Sequence, residues 1–94
     1  MEKQELFFKL KHGPEQLKAA EELLNNPNLS AEELYEIAKA SILLRNEAVE
    51  RLIEKVKENI SEKHFLKNIK DFPAISDKLK KSIEQLLSKI TSCG

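Results

Sequence analysis

Chain breakers are scarce in this sequence. The only glycines are Gly13 and Gly94, and the only prolines are Pro14, Pro27 and Pro73. A many-stranded β protein needs turn residues about every 8–12 positions, so this scarcity argues against one. Leu, Ile, Glu, Lys and Ala dominate instead, and most of these are good helix formers. Hydrophobic residues make up 40% of the 94 positions and charged residues 34%. That mixture supports one globular domain over residues 1–94 rather than a disordered chain. The expected fold is all-α: five to six short helices packed as stacked antiparallel hairpins, either a short α-solenoid-like array or a compact helical bundle.

The breakers and caps divide the chain. Residues 1–12 hold an N-terminal helix with Leu6, Phe7 and Leu10 on one face. Gly13 suits a left-handed residue after that helix, and Pro14 suits the first turn of the next. The second helix carries Leu17, Ala20, Leu23 and Leu24 and stops at Asn26-Pro27, because the residue before proline is pushed out of the helical region. Ser30-Ala31-Glu32-Glu33 has the form of a capping box, with Leu29 placed to staple against Leu34. The third helix puts Leu34, Tyr35, Ile37, Ala38 and Ile42 inside. No hard breaker separates it from the fourth, and a break at Asn46 is preferred over one long helix across 30–59. Val49, Leu52, Ile53 and Val56 follow in register, and Asn59 ends the segment. Ser61 is expected to cap a fifth helix with Phe65, Leu66 and Ile69 inside. Asp71-Phe72-Pro73 breaks it, and Ser76 caps a sixth carrying Leu79, Ile83, Leu86, Leu87 and Ile90. The expected partition is hairpin 1 over 14–44, hairpin 2 over 46–70 and a closing helix over 76–91.

Three of these segments align with one another. Leu17, Val49 and Leu79 correspond, as do Leu24, Val56 and Leu86. The segment from Leu29 aligns with that from Ile60. A helix-turn-helix unit repeated near this period is the sequence form of stacked helical hairpins. The stretch from Asn26 to Lys39, followed by Asn46-Glu-Ala-Val-Glu-Arg, resembles the leucine-rich repeat variant, a relative of the HEAT and armadillo helical repeats. The period here is longer, and Asn-Pro does not recur at Asn59 or Pro73. The iron–sulfur cluster beside some such repeats needs several cysteines, whereas this chain has one, Cys93. The resemblance therefore implies a scaffold or binding surface without a cofactor.

No constellation for catalysis emerges. His12 and His64 are the only histidines, and spacing pairs neither with the other nor with Cys93. Glu21, Glu22, Glu32, Glu33 and Glu36 read as a solvated acidic face, with Glu33 engaged in its cap. There is no glycine-rich phosphate loop and no cysteine cluster for a metal. The expectation is therefore a non-enzyme with no catalytic, cofactor or metal residues. The first residues lack the basic start and apolar run of a secretory signal, and no apolar stretch approaches the ~20 residues of a membrane helix. A cytoplasmic protein that does not enter the membrane is the default expectation.

Two surface features remain. Phe8 lies one helical step from the Leu6 stripe, and Ile42-Leu43-Leu44 cannot all face one side of a helix. Each is either covered by a second neighbour or exposed for a partner. Residues 1–50 are net acidic and residues 51–94 net basic within a neutral chain. Lys63, Lys67 and Lys70 fall on one face of the fifth helix, and Lys78, Lys80 and Lys81 crowd the start of the sixth. Such lysines could contact phosphates. Yet the chain has only Arg45 and Arg51 as arginines and lacks interleaved aromatics for reading bases. The leading expectation is a protein-interaction or adaptor domain that binds a protein partner and forms a homodimer, with Phe8, Ile42, Leu43 and Leu44 as binding residues. The alternative is a nucleic-acid accessory protein using the six lysines.

Overall fold

Helix ends in this computed structural model, which describes the backbone of residues 2–93 and the side chains of residues 2–90, follow local chemistry. Six helices form: α1 Lys3–His12, α2 Gln16–Leu24, α3 Ala31–Ala40, α4 Arg45–Glu58, α5 Lys63–Ile69 and α6 Asp77–Cys93. A 3-10 turn over Ile60–Glu62 precedes α5, and no strand forms among the described residues. The all-α expectation therefore holds.

The capping box at α3 is complete. The Ser30 hydroxyl accepts from the Glu33 N–H at 3.1 Å, and the Glu33 carboxylate accepts from the Ser30 N–H at 2.9 Å. Lys3 of α1 also reaches Glu33, at 3.3 Å. Burial would raise the Glu33 carboxyl, but the Ser30 hydrogen bonds and the Lys3 ammonium outweigh it and hold the group below its ordinary value. The helix stop at Pro27 is also as expected: Asn26 Oδ1 accepts from the Asn28 N–H at 2.8 Å, closing a local turn. Ser76 caps α6, its hydroxyl accepting from the Leu79 N–H at 3.3 Å.

Several boundaries differ from expectation. Gly13 is extended, with φ −116°, rather than left-handed. A Cβ there would lie 3.1 Å from the Lys9 carbonyl oxygen, a tight approach that glycine avoids. Pro14 belongs to the turn, and α2 starts only at Gln16. The break between α3 and α4 falls over residues 41–44, so Asn46 does not cap α4; its Oδ1 accepts from the Ser76 N–H at 3.0 Å. Ser61 does not cap α5 either. Asn59 Oδ1 takes the Ser61 N–H and hydroxyl and winds the 3-10 turn instead. Leu17, expected in the core, is 40% exposed because Ala19, Ala20 and Leu23 form the inward face of α2. Leu24 and Leu86 are only partly buried.

The most extensive packing joins α1 to α2 and α3 to α4. The expected hairpins over 14–44 and 46–70 would instead join α2 to α3 and α4 to α5, which touch less. The connections over residues 13–15 and 41–44 are short and fold neighbouring helices directly onto each other, whereas the equally short 59–62 is wound into the 3-10 turn. Alternate helices then line up in two layers. In one, Lys3 and Lys11 of α1 ion-pair with Glu33 and Glu36 of α3, and Tyr35 of α3 stacks on Phe65 of α5 at 5.1 Å. In the other, Arg51 of α4 donates to the Leu24 and Asn26 carbonyls at 2.6 and 2.7 Å, tying α4 to the end of α2. The Asn46–Ser76 bond sets the first turns of α4 and α6 side by side. The core between the layers includes Leu10, Leu23, Leu34, Ile37, Val49, Leu52, Val56, Leu66, Ile69 and Ile83, all essentially solvent-free. The molecule measures 42 × 24 × 17 Å.

Arg45 is the unusual member of this interior, with 4% exposure. Its guanidinium donates to the carbonyls of Ala38 at 2.8 Å, Lys39 at 3.1 Å and Pro73 at 2.7 Å, and it lies 5.1 Å from the Phe72 ring. The bond to Pro73 holds the α5–α6 connection where Ala74 takes a left-handed φ of 63°. Among the described residues no buried side-chain nitrogen or oxygen lacks a hydrogen-bond partner.

Two expected outcomes follow from these contacts. Arg45→Ala should lower the unfolding free energy by about 3 kcal/mol in urea titrations, since bonds to a charged donor are worth about 1.5–3 kcal/mol each and do not add fully. Arg45→Lys should restore less than half, because an ammonium lacks the planar fork. A loss below about 1 kcal/mol for Arg45→Ala would refute the clamp. Glu33→Gln should destabilise the protein at pH 7. A carboxyl held below its ordinary pKa stabilises the fold above its unfolded value and loses that effect as pH falls through its folded value. The Tm gap between wild type and Glu33→Gln should therefore close on acidification below the usual carboxylate range.

Candidate functional site

The parallel alignment of α4 and α6 leaves a trough between them. It is an open groove of about 480 Å³. Its floor is apolar, made by Ile53, Leu79 and the partly exposed Leu86. Glu50 and Glu54 stand on the α4 wall, Ser82 and Gln85 on the α6 wall, and Lys57 and Lys89 at the far end. Along α4, Glu47, Glu50, Glu54 and Glu58 recur at helical spacing and are all exposed. Of these only Glu54 ion-pairs among the described residues, with Lys57 at 3.3 Å. Arg51 borders the groove too, but its guanidinium is spent on the Leu24 and Asn26 carbonyls.

The residues singled out from the sequence do not gather at this groove. Phe8 is 66% exposed on the outer side of α1, where its ring stacks on His12 at 5.0 Å. Ile42 and Leu43 lie in the α3–α4 connection at 63% and 76% exposure, so Ile42 is not on the inner face of α3 as expected. Leu44 turns in and packs against the core. The connection is short, and Ser41 shapes it by accepting the Leu44 N–H with its hydroxyl at 3.3 Å. Exposure is thus the outcome for Phe8, Ile42 and Leu43, and partial burial for Leu44.

The six lysines do not make one patch. Lys63, Lys67 and Lys70 share a side of α5. On α6, successive residues are rotated by about 100°, which sends Lys80 to one flank of the buried Leu79–Ile83–Ile90 stripe, Lys78 to the other and Lys81 to the side opposite the stripe. None of the six ion-pairs among the described residues, in contrast with Lys3, Lys9, Lys11 and Lys39 of the acidic half, which are paired with Glu33, Glu15, Glu36 and Glu36. The acidic cluster is therefore partly neutralised: Glu33 and Glu36 serve as ion-pair acceptors, as Glu33 also serves its cap.

His64 lies against Phe65, ring centroids 4.0 Å apart. Among the described residues no group of three or more His, Cys, Asp or Glu side chains is placed to hold a metal ion, and no helix is long and apolar enough to cross a membrane. Cys93 lies outside the described side chains.

Comparison of the chain with family models, with curated proteins and with solved structures returned no match.

The groove was missed in the sequence because Ile53 and Leu86 read as ordinary core positions. Their meeting at the floor of one trough depends on the register between α4 and α6. The glutamates at 47, 50, 54 and 58 were the available signal, since their spacing puts them on one exposed stripe.

Proposed function

We propose that this protein is a non-enzymatic protein-interaction module whose apolar surface residues also mediate its self-association. The observation that carries this reading is the exposure of Ile42 and Leu43 on a short connection between two packed helices. A mobile tail can expose apolar residues at little cost, whereas a connection anchored by Ser41 and Arg45 presents them in a fixed place. Phe8 adds a third large apolar side chain to the surface. A closed two-fold dimer is the expected assembly, because a head-to-tail contact continues into a filament. Apolar contact must supply most of its stability, since exposed ion pairs contribute only about 0–1 kcal/mol each. The resemblance to helical repeats fits this reading, and so does the two-layer packing, though neither specifies a partner.

A second reading, nucleic-acid association through Lys63, Lys67, Lys70, Lys78, Lys80 and Lys81, draws on the absence of ion pairs at these lysines among the described residues. The dispersal of the α6 lysines around that helix weighs against it. So does the engagement of both arginines with backbone carbonyls, because arginine is the better reader of phosphates and base edges.

Sedimentation equilibrium on the reduced protein at tens of micromolar tests the leading reading. A dimer that survives high salt and is lost on Phe8→Ser or Leu43→Ser is the expected result; a single 10.8 kDa species would overturn self-association. Gel-shift titrations with mixed-sequence DNA and RNA should show no complex at physiological salt. A complex that weakens steeply with salt and on Lys67→Glu with Lys81→Glu would move the assignment to the second reading.

A further inference from the structure

The connection into α6 is strained at one point. Pro73 and Ser76 are both tied to the first turn of α4: the Arg45 guanidinium donates to the Pro73 carbonyl at 2.7 Å, and Asn46 Oδ1 accepts from the Ser76 N–H at 3.0 Å. Only Ala74 and Ile75 lie between these anchors, so the chain must turn within two residues. Ala74 does so with a φ of 63°, the one left-handed non-glycine residue among the described residues. That region suits glycine and strains alanine, whose Cβ crowds the following carbonyl oxygen. Ala74 is exposed, so burial of its own methyl group does not compensate.

Beyond this turn, α6 is held by apolar contact. It packs chiefly on α4 and more lightly on α5, burying Leu79, Ile83 and Ile90. Among the described residues, the side chains of residues 77–86 make no hydrogen bond or ion pair to another element; the Ser82 hydroxyl donates within α6, to the Lys78 carbonyl. Other helices are tied more specifically, α1 to α3 by Lys3–Glu33 and Lys11–Glu36, and α4 to the end of α2 by Arg51.

We propose that α6 is an exchangeable element: two copies of this chain open at Ala74 and Ile75, and each lays its α6 on the α4 of the other, forming a domain-swapped dimer. The occupant of the vacated seat is fixed, because the seat is already shaped to this helix. Arg45 keeps the Pro73 carbonyl of its own chain, while Asn46 receives the N–H of the partner's Ser76. The apolar stripe of each α6 is buried again. What changes is Ala74, which is released from its left-handed turn, and short strained hinge connections favour such exchange. The two-fold arrangement closes, so it ends at the dimer. Within one copy the tether holds α6 at high effective concentration over its own seat, so exchange occurs when chains refold together at high protein concentration. This dimer is distinct from contact through Phe8, Ile42 and Leu43 and does not rest on that reading.

The test refolds the full chain from urea at high concentration under reducing conditions and separates dimer from monomer by size exclusion. Ala74→Gly removes the left-handed penalty from the closed form and should cut the dimer yield at least tenfold. Inter-copy linking identifies the exchange. Glu54 and Ser82 stand on opposite walls of the α4–α6 trough. Copies carrying Glu54→Cys are refolded with copies carrying Ser82→Cys, with Cys93→Ser in both, and a short bismaleimide is added to the isolated dimer. The mixture should give a covalent dimer, and either variant refolded alone should not. A wholly monomeric refolded protein, a dimer that does not link between copies, or a yield that Ala74→Gly leaves unchanged would overturn the proposal. A linked dimer that survives Leu43→Ser would support it whether or not the surface contact forms. A dimer that never links and is lost on Leu43→Ser would leave the surface-contact reading standing and this inference refuted.

Discussion

A buried guanidinium organises this fold. Arg45 stands in the first turn of α4 and has no carboxylate partner among its contacts; it is satisfied by three backbone carbonyls instead. Two belong to the last turn of α3, where unpaired carbonyls carry the negative end of the helix dipole. The third, on Pro73, lies more than a full hairpin away along the chain. One side chain thus ends α3, fixes the bend into α4 and anchors the approach to α6. An arginine can do this because its planar donors diverge toward several acceptors at once and its charge is more weakly hydrated than that of an ammonium. Arg51, two turns along the same helix, repeats the device at the end of α2. Helix α4 is consequently the element to which both neighbouring ends are tied.

The groove is a consequence of that arrangement. With Pro73 held by Arg45 and Ser76 by Asn46, α6 can only start beside the start of α4 and run alongside it. The two helices then meet through Ile53, Leu79 and Ile83 below, while their polar rims diverge above. The left-handed Ala74 sits in the connection between these two anchors. A non-glycine residue there costs roughly 1–2 kcal/mol, and the anchors on either side keep it in place. The trough is therefore set by backbone hydrogen bonds some distance from it.

Much of the fold was legible because it was written in local chemistry. The capping box at Ser30, the stop at Pro27 and the cap at Ser76 each act within four residues, and each formed as expected. The failures came where two local solutions competed or where a distant element decided. Asn59 outcompeted Ser61 because its longer side chain reaches both the Ser61 N–H and hydroxyl. Asn46 had a backbone N–H to satisfy across the fold rather than in its own helix. Leu17 belongs to an apolar stripe by periodicity, yet small alanines let α2 press its other face inward. Arg45 could not be read as interior, since arginine is ordinarily a surface residue. Of the site, the exposure of Ile42 and Leu43 was anticipated as one of two outcomes, whereas the groove required the α4–α6 register.

Committing both guanidinium groups to backbone carbonyls has a chemical corollary for the outside. Apart from the half-buried, carbonyl-bound Arg51, every strong side-chain cation on the described surface is a primary amine. Guanidinium and ammonium groups differ in what can be done to them covalently: acylation discharges the amine under mild conditions and leaves the guanidinium untouched. The clamps that hold α2, α3 and the α5–α6 connection are thus chemically orthogonal to the charges that face solvent. Outside the Lys3–Glu33 and Lys11–Glu36 contacts between α1 and α3, the exterior potential of this molecule can be rewritten, from balanced to strongly anionic, while the guanidinium clamps remain out of reach of the reagent.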